Sequence, residues 1–303
     1  MHSRELTVEE AQRGLRLDRF LCEALPGLGR AAARRLLDGG EVLLNGRRAA
    51  AAARVAAADV VTVPVMAGAN VAPVADATLP LQVVHEDRSL LIIDKPAFMP
   101  CHPLRAGEGG TLVSALLARY PELAGVGYAT REPGLLHRLD TGTSGLLLVA
   151  RDQATFDALR DALRAGALDK RYQALCVGAL TAPAVHHGYL RARGARVTVR
   201  SEPFADAVPI TTELLSAQAL SAFTLVEVRA RFARRHQIRA HLAALGHPLA
   251  SDEDYGGAAL PGLRRHFLHA SALRFTHPVT GQALSVASEL PEDLRAALTH
   301  AYG

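Results

Sequence analysis

The sequence predicts an α+β protein, with a large mixed or antiparallel sheet domain preceded by a small α+β domain. Three observations predict it. Strand-like runs outnumber helix-like ones and do not alternate regularly with them, which disfavours a doubly wound parallel sheet. Residues 67–79, "AGANVAPVADATL", are Ala/Pro-rich and aperiodic, so they read as a linker between residues 1–66 and 80–303. The chain is 49% hydrophobic and 21% charged, enough apolar material for a sizeable core and against disorder.

In the small unit, Leu17, Phe20, Leu21 and Leu25 fall at helical spacing. Ala31 to Asp38 is a second helix stopped by Gly39 and Gly40. "EVLLNG" is a short strand ending in the tight-turn pair Asn45-Gly46, and "DVVTVPV" is another strand. In the large unit, "LQVVHEDRSLLIIDKP" reads as strand, turn, strand, and "TLVSALLARY" as an amphipathic helix capped by Thr111. Residues 121–136 form a Gly/Pro-rich loop, and "GLLLVA" is a buried strand. "DQATFDALRDALRAG" is a helix from its Asp152 cap to Gly166. "KRYQALCVG", "ARVTVR" and "AFTLVEVRA" are strands, and "RRHQIRAHLAALG" is a helix closed by Gly246. "ALRFTHPVTGQALSVA" is a hairpin, followed by the terminal helix "PEDLRAALTHAY".

The formal net charge is +4, a mild bias toward a polyanionic partner, and all but Lys95 and Lys170 of the 34 basic residues are arginine. Cys22, Cys101 and Cys176 fit neither a disulfide framework nor a zinc knuckle, and suit a reducing cytoplasm. The N-terminal stretch is charged throughout, unlike a signal peptide, and Arg54 and Asp59 interrupt the longest Ala/Val run, so no membrane span is expected.

The stretch "HRLDTGTSG", His137 to Gly145, sets a carboxylate at the mouth of a buried strand. Asp140 beside Arg138 reads either as a turn salt bridge or as a nucleophile or base preorganised by Gly142, Thr143 and Ser144, which can hydrogen-bond its side chain. "DTGTSG" also resembles an aspartic-protease loop, but that chemistry needs two carboxylates sharing one proton, and no second Asp-Thr-Gly or Asp-Ser-Gly occurs. On "RRHQIRAHLAALG", Arg235, Arg239 and Leu242 lie close to one helix face. That places either a solvated basic helix there or an arginine that meets Asp140. His236 and His241 are five apart, which disfavours a helical zinc pair. Tyr172 alone reads as a core tyrosine. Between Arg13 and Arg54 stand nine arginines against Asp18, Glu23, Asp38 and Glu41, a solvated surface or a phosphate-binding module.

Together these segments resemble one family, the RluA-type pseudouridine synthases. "HRLDTGTSGLLLVAR" is similar to its signature, and "DKPAFMPCHP", "KRYQALCVG", "RRHQIRAHLAALGHPLASDEDYG" and "FLHASALRFTHPVTG" resemble its other motifs in the same order, over roughly residues 80 to 290. "RLDRFL" and "GRAAARRLLDGGEVLLNG" resemble a small RNA-binding module named after a ribosomal small-subunit protein. The resemblance implies the pseudouridine synthase fold and an isomerase that detaches a uridine base in RNA, rotates it and rejoins it through carbon 5. It implies neither metal nor other cofactor. Asp140 matches the nucleophile, Arg239 the arginine paired with it, and Tyr172 the tyrosine of the base pocket that helps remove the carbon-5 proton. Ile238 matches the residue below the base and Arg138 the one that fills the gap left by the flipped nucleotide, with His137 on the substrate side. Arg16, Arg19, Arg30, Arg34, Arg35 and Arg47 are the expected RNA contacts of the small module.

The expected partner is RNA, with large-subunit ribosomal RNA ahead of tRNA, for a cytoplasmic monomer off the membrane. A non-catalytic RNA-binding or ribosome-assembly factor, and an aspartic-type hydrolase, are the competing readings. Four positions depart from the family pattern. Phe232 and Ala233 stand for Thr-Gly, Ser251 for Gly, and Gly29 for Ser.

Overall fold

The structure, a computed structural model, describes residues 3–25, 30–64, 73–104, 108–194 and 196–302. In the small unit, β1 (Ser3–Thr7), β4 (Val60–Pro64), β2 (Leu43–Leu44) and β3 (Arg47–Arg48) form an antiparallel sheet in that order. Helices α1 (Leu17–Ala24) and α2 (Arg30–Asp38) pack on each other and share its core. Leu17, Phe20 and Leu21 are wholly buried against Leu37, Val42 and Val61, as their spacing predicts. Leu25 packs there from just beyond the helix. Asn45 and Gly46 both take positive φ (51° and 76°), the geometry of a two-residue hairpin turn. Strand β1 is not among the sequence expectations. Only Leu6 of its five residues is buried, so it carries no apolar alternation, and its partner β4 specifies it instead.

The large unit is one ten-stranded sheet. Its strands are β5 (Gln82–Glu86), β6 (Leu90–Lys95), β7 (Ser144–Ala150), β8 (Asp169–Val177), β9 (Ala184–Arg193), β10 (Arg196–Arg200), β11 (Val208–Ala219), β12 (Phe223–Arg229), β13 (Leu268–Thr276) and β14 (Ala283–Ala287). The order is β10-β9-β11-β12-β8-β13-β7-β6-β5, with β14 paired to β13. The pair β13–β7 is parallel and the other pairs are antiparallel, so the sheet is mixed, as predicted.

Central β7 is buried at all seven positions, with alternate residues serving two cores. Leu147 and Val149 face α3 (Leu112–Arg119) and α5 (Gln237–Ala244), together with Tyr172 and Val228. Leu146 and Leu148 join Phe156 and Leu159 of α4 (Gln153–Arg164). Each leucine buried this way contributes about 1.5–3 kcal/mol. Helix α6 (Glu292–Tyr302) covers Leu175 and Phe267 with Leu294 and Ala297. The expected caps are present, Thr111 Oγ1 accepting from Ser114 N at 3.2 Å and Asp152 Oδ1 from Thr155 N at 2.8 Å.

Two expectations need correction. Helix α5 begins at Gln237, not at the preceding arginines, because His236 takes a left-handed φ of 54°. Arg235 and His236 therefore lie on a loop rather than on the helix face read from the sequence. Residues 67–72 of the expected linker lie outside the described residues. Asp76 and Leu79, also read as linker, pack on the large unit, where Asp76 N donates to Ser114 O at 2.9 Å. Among the described residues, no helix is long and apolar enough to cross a membrane.

Candidate active site

The loop carrying Asp140 enters β7 at the middle of the sheet, where β13 runs parallel to it. There Gly145 sits opposite Ala270. A Cβ at Gly145 would lie 2.3 Å from Ala270 O, and its φ of 112° disfavours any other residue. The sequence reading had Gly142, Thr143 and Ser144 bonding the Asp140 side chain; instead their bonds clamp the loop itself. Thr143 Oγ1 bonds His266 Nε2 at 2.8 Å, Ser144 Oγ bonds His269 Nδ1 at 2.9 Å, and Thr143 N donates to Asp140 O at 3.0 Å.

Arg265 donates to Gly142 O at 2.9 Å and is itself held by Asp293 at 2.7 and 3.0 Å. Beneath the loop, the wholly buried Lys95 donates from Nζ to Pro96 O (2.8 Å), Met99 O (2.9 Å) and Thr141 O (3.4 Å). Cys101 Sγ donates to Leu139 O at 3.2 Å and accepts from Leu139 N at 3.3 Å. The backbone on both sides of Asp140 is thus pinned by buried groups.

Asp140 opens into a cavity of about 410 Å³, lined also by Arg138, Tyr172, Ile238, Arg239 and Leu268. The structure therefore brings together five residues singled out in the sequence, Arg138, Asp140, Tyr172, Ile238 and Arg239, from one loop, a strand and a helix. Arg239, 5% exposed, places Nη1 3.4 Å from Asp140 Oδ2. Its other nitrogens donate to Asp252 at 2.7 Å twice and to Asp254 at 2.7 Å. Burial works against the charge of Arg239, but the carboxylates outweigh it and hold its pKa above the ordinary value. On the other flank, His236 Nε2 lies 3.9 Å from Asp140 Oδ1, while its Nδ1 bonds Tyr255 Oη at 3.0 Å. Burial pushes the His236 pKa down, against the pull of Asp140. Tyr172 is 3% exposed, and burial together with the charge of Asp140 pushes its phenol pKa up, so the hydroxyl keeps its proton.

Arg138 stands half-exposed at the cavity rim and reaches Glu132 at 3.3 Å. His137 is not part of the cavity lining. Its Nε2 faces Leu148 N at 3.4 Å, and burial together with nearby Lys170 lowers its pKa well below the usual range. In the small unit, Arg16 pairs with Asp18 through bonds of 3.0 and 2.8 Å, and Arg19 pairs with Glu23 at 2.9 Å. Arg34 and Arg47 are exposed. The side chains of Arg30 and Arg35 lie outside the described residues, as does Gly29.

The roles of Asp252, Asp254, Lys95, Arg265 and His236 at the pocket are absent from the sequence reading. Asp252 and Asp254 stand in the quoted "SDEDYG", but nothing in their spacing shows that they meet Arg239. Of the departures, Ala233 lines the cavity and Phe232 is exposed. Ser251 takes a φ of 56°, the left-handed region that favours glycine, and its hydroxyl accepts from Leu260 N at 2.9 Å.

Comparison with known proteins bears on the whole chain. The sequence model of a family described as RNA pseudouridylate synthase matches residues 89–244, and one described as S4 domain matches residues 15–61. The chain is 36% identical over 309 residues to the ribosomal large subunit pseudouridine synthase D of Xanthomonas campestris, covering 96% of this chain and 90% of that protein. It is 38% identical over 305 residues to a Chloroflexus aurantiacus protein named as an uncharacterized RNA pseudouridine synthase, covering 97% and 92%. The solved structure of human RNA pseudouridylate synthase domain containing 1 shares the fold, with a TM-score of 0.56 and 24% identity over 73% of this chain and 89% of that one. Ordered motifs, mixed sheet and family match agree, and the chain belongs to the RNA pseudouridylate synthases, an isomerase family, with an S4 domain ahead of the catalytic sheet.

Proposed function

We propose that this isomerase converts uridine to pseudouridine in large-subunit ribosomal RNA, with Asp140 as the nucleophile. The observation that carries the reading is the Asp140 carboxylate at the cavity wall, facing an arginine whose position is fixed by two other carboxylates. A fixed positive charge facing Asp140 suits a carboxylate that must both attack and leave. Tyr172 enters as a neutral phenol, which suits a wall of the base pocket more than a standing phenolate base. Ile238 supplies the apolar floor, and Arg138 at the rim is placed to fill the stack that the flipped nucleotide vacates. The match to an S4 domain and the names of the ribosomal relatives support the choice of RNA, with exposed Arg34 and Arg47 as phosphate contacts.

The test is release of tritium from carbon-5-labelled uridine in transcribed large-subunit ribosomal RNA and in bulk tRNA, with wild type beside Asp140→Ala. Release from ribosomal RNA by wild type alone is expected. Release from tRNA alone would overturn the substrate, and release by Asp140→Ala would remove Asp140 from the mechanism.

A further inference from the structure

Phe98 occupies an unusual position for a phenylalanine. It lies in the turn after β6, within "DKPAFMPCHP", at φ 64°, a region that a bulky residue enters only at a cost. The strain is not offset by packing, since the side chain is 61% exposed. The turn is tied to the catalytic loop, because Phe98 N donates to Thr141 O at 2.7 Å, one residue past Asp140. The same carbonyl receives Lys95 Nζ. A second hollow, about 340 Å³, begins at Phe98 and shares Asp140, Thr141, His236 and Arg239 with the first. An exposed ring is therefore held beside the nucleophile by a strained backbone.

We propose that Phe98 is a stacking platform for an unpaired base next to the flipped uridine, a contact that sets which RNA loops fit. This rests on the assignment of RNA as the substrate. A base has two apolar faces and loses its neighbour when the uridine leaves the stack, so an exposed phenyl ring at that edge can replace the lost contact. Glu253 and Asp254 lie in the wall of the hollow, where the amino hydrogens of adenine, cytosine or guanine would find acceptors. Arg264, exposed in the same wall, is placed for the backbone of the same nucleotide.

The experiment compares the full-length wild-type protein with Phe98→Gly and Phe98→Leu. Glycine suits φ 64°, so Phe98→Gly is expected to keep or raise the thermal midpoint while weakening RNA binding. The probe is a single-stranded RNA heptamer with a central uridine flanked on each side by the fluorescent adenine analogue 2-aminopurine, so binding is read without turnover. Wild type is expected to quench one flanking analogue. Phe98→Gly is expected to abolish that quenching and to bind about tenfold more weakly. Phe98→Leu, apolar but without a π face, should lose the quenching as well. Equal affinity and quenching in all three proteins would overturn the proposal, and so would a lower thermal midpoint for Phe98→Gly, which would make the ring structural. Wild-type tritium release reports separately on the ribosomal substrate, so failure there leaves this result standing.

Discussion

Arg239 faces Asp140 at 3.4 Å but gives Asp252 two bonds of 2.7 Å each. The guanidinium is anchored on one carboxylate and presented to another. This division leaves Asp140 with lone pairs free for chemistry beside a charge that does not move. Asp252→Asn would break the anchor. A buried pair that loses one partner is destabilised by about 3–5 kcal/mol, and the freed arginine would close on Asp140 and occupy it. Both the thermal midpoint and turnover should fall, the latter by about tenfold or more. Asp254, with a side chain 68% exposed, makes a solvent-screened contact to the same arginine, so Asp254→Asn should be mild. Thermal melts and tritium release on both variants check this, and equal effects would refute the anchoring role of Asp252.

Asp140→Ala should abolish turnover and leave RNA affinity within about threefold, because the remaining contacts to a structured RNA are spread over phosphates and other side chains. Filter binding beside tritium release separates the two. A parallel loss of affinity would show that Asp140 holds the RNA rather than reacts with it.

The residues that line the cavity beside Asp140 were legible in the sequence, and those that support them were not. Asp140, Tyr172 and Arg239 stand in ordered motifs, and a motif records chemistry directly. Lys95 acts on Thr141 and Arg265 on Gly142 through the tertiary fold, so no local pattern announces either. The start of α5 was misplaced because the left-handed residue that precedes it is a histidine, not a residue that marks helix ends. Strands β6 and β7 were legible because their apolar runs face two buried layers. Strand β1 was not, since its support is hydrogen bonding to β4 more than burial.

The only two lysines in the sequence, Lys95 and Lys170, are both buried, at 0% and 4% exposure. Amine-acylating reagents should therefore leave both lysines unmodified in the native protein and reach them only on unfolding. Peptide mass mapping before and after denaturation tests this, and rapid native labelling of Lys95 would place it outside the core.

Burial pushes Lys95 down from 10.5 to about 8. Between these values an unfolded chain binds the proton and the folded one does not, so this group adds stability as pH rises through the window rather than removing it. Activity should move the other way. A neutral amine has two hydrogens for three carbonyls, so the hold on Thr141 weakens. Turnover is expected to fall with a midpoint near pH 8 while the protein stays folded, and Lys95→Met should be low and nearly flat across the same range. A thermal midpoint that drops together with activity above pH 8 would assign the loss to unfolding instead.

In the small domain, Arg16 is paired with Asp18 through two bonds, whereas Arg34 and Arg47 are exposed. A phosphate contact releases counterions only to the extent that the arginine's charge is not already met by a neighbouring carboxylate. Replacing Arg34 and Arg47 together with alanine should therefore lower the slope of log affinity against log salt by about 1.4–1.8, while Arg16→Ala should leave it nearly unchanged. Affinities measured over a salt series decide the matter. A slope that ignores the double variant would take the RNA-binding face away from these arginines, and a slope lowered most by Arg16→Ala would mean that its pair with Asp18 opens when RNA arrives.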